Sequence, residues 1–207
     1  MSANIITVGR EYGSGGRDIA KRIATQLAIP YYDNELITLA AKNSGINEEI
    51  FESHDESSPI TSFLGATTLV TPQAFSAPVG FQLSLNQKVF LAQFETITQI
   101  AKQGPCVIVG RCADYVLREF SNVYHVFFYA SLTERVNRIQ RLYSLTETEA
   151  KETIRKEDKK RKTYYNFFAE GNWGVRSNYD AVSRTDHCDF DALAASVISL
   201  ANNRIMP

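Results

Sequence analysis

The sequence predicts an α/β fold in which a parallel sheet is wrapped on both faces by helices, and three observations carry that prediction. Residues 4–27 run strand, glycine-rich turn, amphipathic helix. Short apolar runs rich in β-branched residues recur at Cys106-Val107-Ile108-Val109 and at Val123-Tyr124-His125-Val126-Phe127-Phe128-Tyr129. The segments between and after them carry helical periodicity, several opened by Ser or Thr three residues before Glu or Gln.

The first strand is Ile5-Ile6-Thr7-Val8, short and β-branched as a buried parallel strand should be. The turn runs from Gly9 to Asp18, and Ile19, Ala20, Ile23, Ala24 and Leu27 then mark one face of a helix. A strand that enters a helix through glycines lets backbone N–H groups converge at the positive end of the helix dipole. Arg10, Gly13, Ser14, Gly15, Gly16, Arg17 and Asp18 are therefore the expected seat of a polyphosphate. The phosphate-loop consensus G-x-x-x-x-G-K-[ST] needs a lysine after its last glycine, and Gly16 stands there. The missing charge has to come from Arg17, Arg10 or a distant basic residue. The alternative is a glycine turn with no ligand.

Ala28 to Tyr32 reads as a second strand, with Asp33 at its carboxyl end, where open α/β sheets place ligands. Asn34 is the expected cap of a helix over Glu35–Asn43 that stops at Gly45. Residues 46–56 are acidic, and from Ser57 through Gln87 no side chain is charged although aromatic and aliphatic residues abound. That composition argues against a free linker and for either a substrate lid or a face covered by a second copy, the latter preferred. Ser84-x-x-Gln87 opens a helix to about Gln103. The strand over 106–109 then delivers Gly110 and Arg111 to the same sheet edge as the phosphate loop. A guanidinium there can grip a phosphate bidentately, or it can pair with a carboxylate such as Asp114.

His125 lies within the fourth strand and reads as a satisfied core histidine. Ser131-x-x-Glu134 and Thr146-x-x-Glu149 cap the next two helices. The second of these carries Arg155, Lys156, Asp158, Lys159, Lys160, Arg161 and Lys162, then Tyr164 and Tyr165, a cationic run in a nearly neutral chain. Either it is a solvated face or it closes over a polyphosphate. Gly171 to Gly174 break that helix, Tyr179 to Ser183 reads as the last strand, and Phe190 to Asn203 as the closing helix. Trp173 can stack on a base or pack beneath the lid.

The chain has 207 residues and a formal net charge of −1, so no global field favours nucleic acid polymers or an anionic membrane. Its three cysteines, Cys106, Cys112 and Cys188, lack metal-ligand spacing and predict reduced thiols in a cytoplasmic protein. No apolar run is long enough to span a bilayer.

The order of parts resembles the nucleoside monophosphate kinases, most closely their cytidylate kinase-like branch. The resemblance rests on Gly13-Ser14-Gly15-Gly16-Arg17-Asp18-Ile19-Ala20, Tyr32-Asp33, Gly110-Arg111, Asp158-x-x-Arg161, and Tyr164-Tyr165 followed by Trp173-Gly174 and Tyr179-Asp180. It implies one P-loop kinase domain over 1–207, a three-layer fold with a substrate-binding insertion over 34–103 and a lid over 146–178. It further implies ATP and Mg²⁺ as cofactors, with the loop on ATP and Asp18 near the metal through water. CMP or dCMP would be the first acceptor, held by Asp33, Arg111, Lys159 and Tyr164. Arg111, Arg155, Asp158 and Arg161 would be the catalytic set. Where true cytidylate kinases have Asp-Thr-Gly and a later arginine, this chain reads Asp33-Asn34-Glu35 and Leu39. That departure, together with Gly16 in place of the loop lysine, leaves open a weakened nucleotide-binding module or a kinase for a non-nucleotide metabolite. A homodimer through residues 57–87 is a further expectation.

Overall fold

The computed structural model describes residues 5–47, 49, 85–169 and 171–203. The expectations for the uncharged segment, and for Ser84 as a cap, lie outside them except at its last three residues.

Five parallel strands form one sheet in the order β2-β3-β1-β4-β5. They are β1 (Ile5–Arg10), β2 (Tyr31–Tyr32), β3 (Cys106–Val109), β4 (Val123–Tyr129) and β5 (Ala181–Arg184). β1 is central, with Ile5 to Val8 opposite Cys106 to Val109 on one side and opposite Val123 to Val126 on the other. Period-two alternation sends its side chains to two separate cores. Ile6 and Val8 pack with Val107, Val109, Val126 and Phe128 against α1 (Gly16–Leu27) and α7 (Phe190–Asn202). Ile5, Cys106, Ile108 and Val123 face α2 (Glu35–Ser44), α3 (Leu85–Gln103) and the short α4 (Ala113–Val116). The result is the three-layer arrangement expected, with a buried sheet between helices. An antiparallel pair, α5 (Leu132–Tyr143) and α6 (Glu147–Phe168), stands beside it, joined through Val136, Ile139, Ala150 and Ile154.

Several boundaries differ from the sequence reading for local reasons. β2 keeps two of the five residues expected, because Ala28 closes α1 in the left-handed region with φ 51° and Pro30 contributes only its carbonyl, to Val107 N–H at 2.9 Å. β1 runs two residues further than expected and β5 starts two residues later. Asn34 does not cap α2: it is itself helical in conformation and its side chain makes no capping bond. Gly45 does end that helix, at φ 70°. The Thr146–Glu149 box is complete in both directions, whereas Ser131 accepts Glu134 N–H while its own N–H goes to Asp186 Oδ1 at 2.8 Å. His125 Nδ1 and Thr7 Oγ1 meet at 2.7 Å across β4 and β1, which satisfies the histidine inside the sheet.

Candidate active site

The residues that follow β1 and β2 line a cavity of about 320 Å³ beneath the α5–α6 pair, and those that follow β3 line a smaller recess next to it. The glycine loop forms one wall. Gly13 and Gly15 take φ 81° and 83°, conformations that glycine adopts without the steric cost of a side chain. A Cβ on Gly15 would collide with the Phe190 ring. Ser14, almost fully buried, shapes the bend: its hydroxyl donates to Glu11 O at 2.9 Å and accepts Gly16 N–H at 3.3 Å. Thr185, beyond β5, donates to Ser14 O at 2.6 Å and holds the loop from behind. The N-cap residue Gly15 offers no side-chain acceptor to α1, and apart from Gly16 N–H, which the Ser14 hydroxyl takes, the first turn meets the cavity that Gly15, Gly16, Arg17 and Asp18 line.

At the floor where this cavity meets the recess, three guanidiniums approach one buried carboxylate. Asp33 Oδ2 lies 2.5 Å from Arg17 Nε, and its Oδ1 lies 3.7 Å from Arg111 Nη1 and 3.8 Å from Arg10 Nη2. The Asp33 and Arg111 side chains are 2% and 4% exposed, Arg17 61%. Arg10 and Arg111 thus share Asp33 as a counter-charge in a place poorly reached by water, while the more exposed Arg17 approaches it from the solvent side. Tyr31 donates its hydroxyl to Asp33 Oδ2 at 3.3 Å, and burial together with the neighbouring carboxylate pushes that phenol up to about 12. The backbone under Arg111 is unusual: Gly110, Arg111 and Cys112 all lie in the left-handed region, at φ 75°, 54° and 55°. Two consecutive side-chain-bearing residues held there mark a segment whose conformation is imposed by its surroundings.

The α5–α6 pair is tied to the loop by a second ionic group. Asp158 accepts Tyr12 N–H at 2.8 Å and pairs with Arg135. Arg135 also donates to Tyr12 O at 2.7 Å and pairs with Glu11 at 3.1 Å. Burial raises the Glu11 carboxyl against the opposing pull of Arg135. Arg161 Nη1 donates to Arg10 O at 3.3 Å, and its guanidinium stands 5.3 Å from the centre of the Tyr12 ring.

These contacts sort the residues expected from sequence. Arg10, Gly13, Gly15, Gly16, Arg17, Asp18, Asp33 and Arg161 line the cavity. Arg111 and Tyr164 line a smaller recess next to it, which Arg10 and Arg161 share; Tyr164 is buried and donates to Gln93 Oε1 at 2.7 Å. Asp158 anchors the loop. Arg155 and Lys159 are exposed and do not line the cavity, because the inward stripe of α6 is Ile154, Asp158, Arg161 and Tyr165. Asp114, the alternative partner of Arg111, accepts the Tyr165 hydroxyl at 2.8 Å. Trp173 packs edge-on against Phe127 at 5.5 Å between ring centres. Glu11, Tyr12, Arg135 and Arg138 join the site although sequence reasoning did not select them.

Among the described residues the donor set does not make a magnesium site of its own. Glu11, Asp18 and Asp33, the carboxylates on the cavity, are engaged by Arg135, Arg138 and the three floor arginines. Asp18, the expected metal contact, lies 3.0 Å from Arg138 Nη1. The position that carries the metal-binding hydroxyl in the consensus is Arg17. Among the described residues no cluster of three or more His, Cys, Asp or Glu is placed to hold a metal. What lines the cavity instead is guanidinium groups and the backbone of the glycine loop.

Among the described residues no helix is long and apolar enough to cross a membrane. A search of curated proteins gives no match. Among solved structures, that of an uncharacterized protein from Eubacterium ventriosum ATCC 27560 is 26% identical, covering 97% of this chain and 99% of that one with a TM-score of 0.70. Shikimate kinase from Bacteroides thetaiotaomicron is 15% identical over 94% of each chain, with a TM-score of 0.51. TT1252 from Thermus thermophilus is 17% identical, covering 99% of this chain and 100% of that one with a TM-score of 0.53. At the last two identities the likeness is one of fold, and the fold is that of the P-loop kinases. A family match over residues 5–187 takes in every strand, the glycine loop, the floor arginines and the α5–α6 pair, and the chain belongs to the cytidylate kinase-like family.

Proposed function

We propose that the protein transfers the γ-phosphoryl group of ATP to the phosphate of a nucleoside monophosphate, with CMP and dCMP the first acceptors to try. An oxygen of the acceptor phosphate attacks the γ-phosphorus, the bond to the β,γ-bridging oxygen breaks, and ADP leaves. Such a transfer asks the protein for position and for charge balance more than for covalent chemistry.

The observation that carries the reading is the convergence of Arg10, Arg17 and Arg111 on Asp33 at the mouth of a glycine loop with an uncapped helix behind it. In this reading the triphosphate lies on the amides of Gly13 to Arg17. Arg111, on its constrained backbone, takes the acceptor phosphate, with Asp33 and Tyr164 beside it. Arg161 balances the charge that spreads during transfer, while Arg155 and Lys159 reach the site only if α6 moves inward. Magnesium arrives with the nucleotide, and the buried thiol of Cys106 suits a cytoplasmic enzyme.

The test is ADP release from ATP with a panel of nucleoside monophosphates and hydroxylated metabolites, for the parent and Arg111→Ala. The expected result is diphosphate formation from a pyrimidine monophosphate that falls about a hundredfold in the variant, the scale of one preorganised donor. Saturable ATP binding with no turnover on any acceptor would make the chain a nucleotide-binding module. Turnover with hydroxyl acceptors alone would make it a metabolite kinase.

A further inference from the structure

The phosphate loop of this chain has exchanged a glycine and a cation between its two ends. Counting the consensus G-x-x-x-x-G-K back from Gly15 puts its first glycine at position 10 and its lysine at position 16; the chain has Arg10 and Gly16 there. The two substitutions touch each other in space. A Cβ built on Gly16 would lie 2.8 Å from the Cβ of Arg10 and 3.0 Å from that of Phe128, so no side chain fits at position 16 while an arginine occupies position 10. Further out, the Arg10 guanidinium passes over Gly110, where a Cβ would overlap it, and reaches Asp33 at 3.8 Å. It borders both the main cavity and the recess that holds Arg111. Two glycines and a carboxylate thus build a channel for one nearly buried arginine.

We infer that Arg10 is the phosphate-gripping cation of this loop, taking from the opposite end of the bend the charge that the consensus lysine supplies. The inference rests on the reading of the loop as a triphosphate seat. A guanidinium has a planar fork of donors, so from its place between cavity and recess it contacts a donor phosphate and the acceptor phosphate together, which an ammonium ion does less well. Arg17 is the obvious competitor, but its side chain is 61% exposed and its charge is weakened by water.

The test is calorimetric titration with ATP, with and without magnesium, of the parent, Arg10→Gln, Arg17→Gln, Gly16→Lys and the reciprocal swap Arg10→Gly/Gly16→Lys. Arg10→Gln is expected to weaken binding about tenfold to a hundredfold, the loss of a charged hydrogen-bonding group, and Arg17→Gln to weaken it less. Gly16→Lys alone, though it restores the consensus lysine, is expected to weaken binding because the lysine stem and Arg10 compete for one space. The swap is expected to bind more tightly than Gly16→Lys, and this comparison decides the matter if Arg10→Gln does not melt cooperatively. Parent-like binding by Arg10→Gln, tighter binding by Gly16→Lys alone, or a swap no better than Gly16→Lys would each overturn the assignment while leaving the kinase reading intact. A parent protein that takes up no ATP would overturn both.

Discussion

The carboxylate of Asp158, in the middle of α6, accepts the backbone N–H of Tyr12, in the glycine loop, at 2.8 Å. One side chain thereby fixes the main chain of the glycine loop from an element 146 residues away in sequence. Its second partner, Arg135 of α5, returns to the carbonyl of the same tyrosine, so loop and α5–α6 pair share a single network. A helix pair anchored this way moves relative to the sheet only if the loop moves with it.

Asp158→Ala is therefore expected to loosen the α5–α6 pair and the loop together. It removes an acceptor from a loop amide and a counter-charge from the nearly buried Arg135, worth about 1–3 kcal/mol of stability. Amide hydrogen exchange should quicken in α6 and at Tyr12 and Gly13, with α1 and the β1 core unchanged. Exchange confined to α6 would mean that the loop keeps its shape without the anchor.

The glycine loop, α1 and the Thr146 box were legible in the sequence because each is written in adjacent residues with strong local chemistry. The Asp158–Arg135–Glu11 network was not, since Arg135 belongs to an amphipathic helix of the ordinary kind and its partners come from two distant elements. A usable signal existed in Arg135 and Arg138: three residues apart, they flank the apolar stripe of Val136 and Ile139, so both lean toward the core-facing side. The cationic run of α6 misled in the other direction. Charge density brought in Arg155 and Lys159 along with Asp158 and Arg161, whereas helical phase gives inward positions only to the latter two of these four. Asp33 was found by its place at a strand end, but that it would gather three arginines depended on side-chain reach.

Asp33→Asn is expected to destabilise the protein more than its single hydrogen bond to Tyr31 suggests. The buried guanidiniums of Arg10 and Arg111 would lose their common counter-charge, and breaking a buried ion pair by removing one partner costs about 3–5 kcal/mol. Without that carboxylate the guanidiniums should make the variant respond more strongly than the parent to anions. Urea melts in the presence and absence of tens of millimolar phosphate would show phosphate recovering part of the loss in Asp33→Asn and adding little to the parent. Equal responses would mean that the arginines spread into solvent once the carboxylate is gone.

A different carboxyl governs the pH dependence beside the recess. Asp114 is raised above its ordinary value of 3.8, first by burial, while the hydroxyls of Tyr165 and Tyr179 pull the other way. In turn Asp114 helps burial hold both phenols above their usual range. For an acid raised on folding, the native state keeps its proton where the unfolded chain has released it, so stability falls as pH rises from the unfolded value to the raised one and is level above it. Asp114→Asn keeps an oxygen for the Tyr165 hydroxyl and removes the ionisation. Melting temperatures of parent and variant, compared from pH 4 to pH 8, should therefore diverge in the variant's favour as pH rises. The comparison cancels the opposite contributions of Asp186 and Asp189, whose lowered carboxyls strengthen the fold as pH rises and which both proteins share. A constant gap across the range would mean that Asp114 stays ionised throughout, with the two tyrosine hydroxyls holding its charge inside the fold.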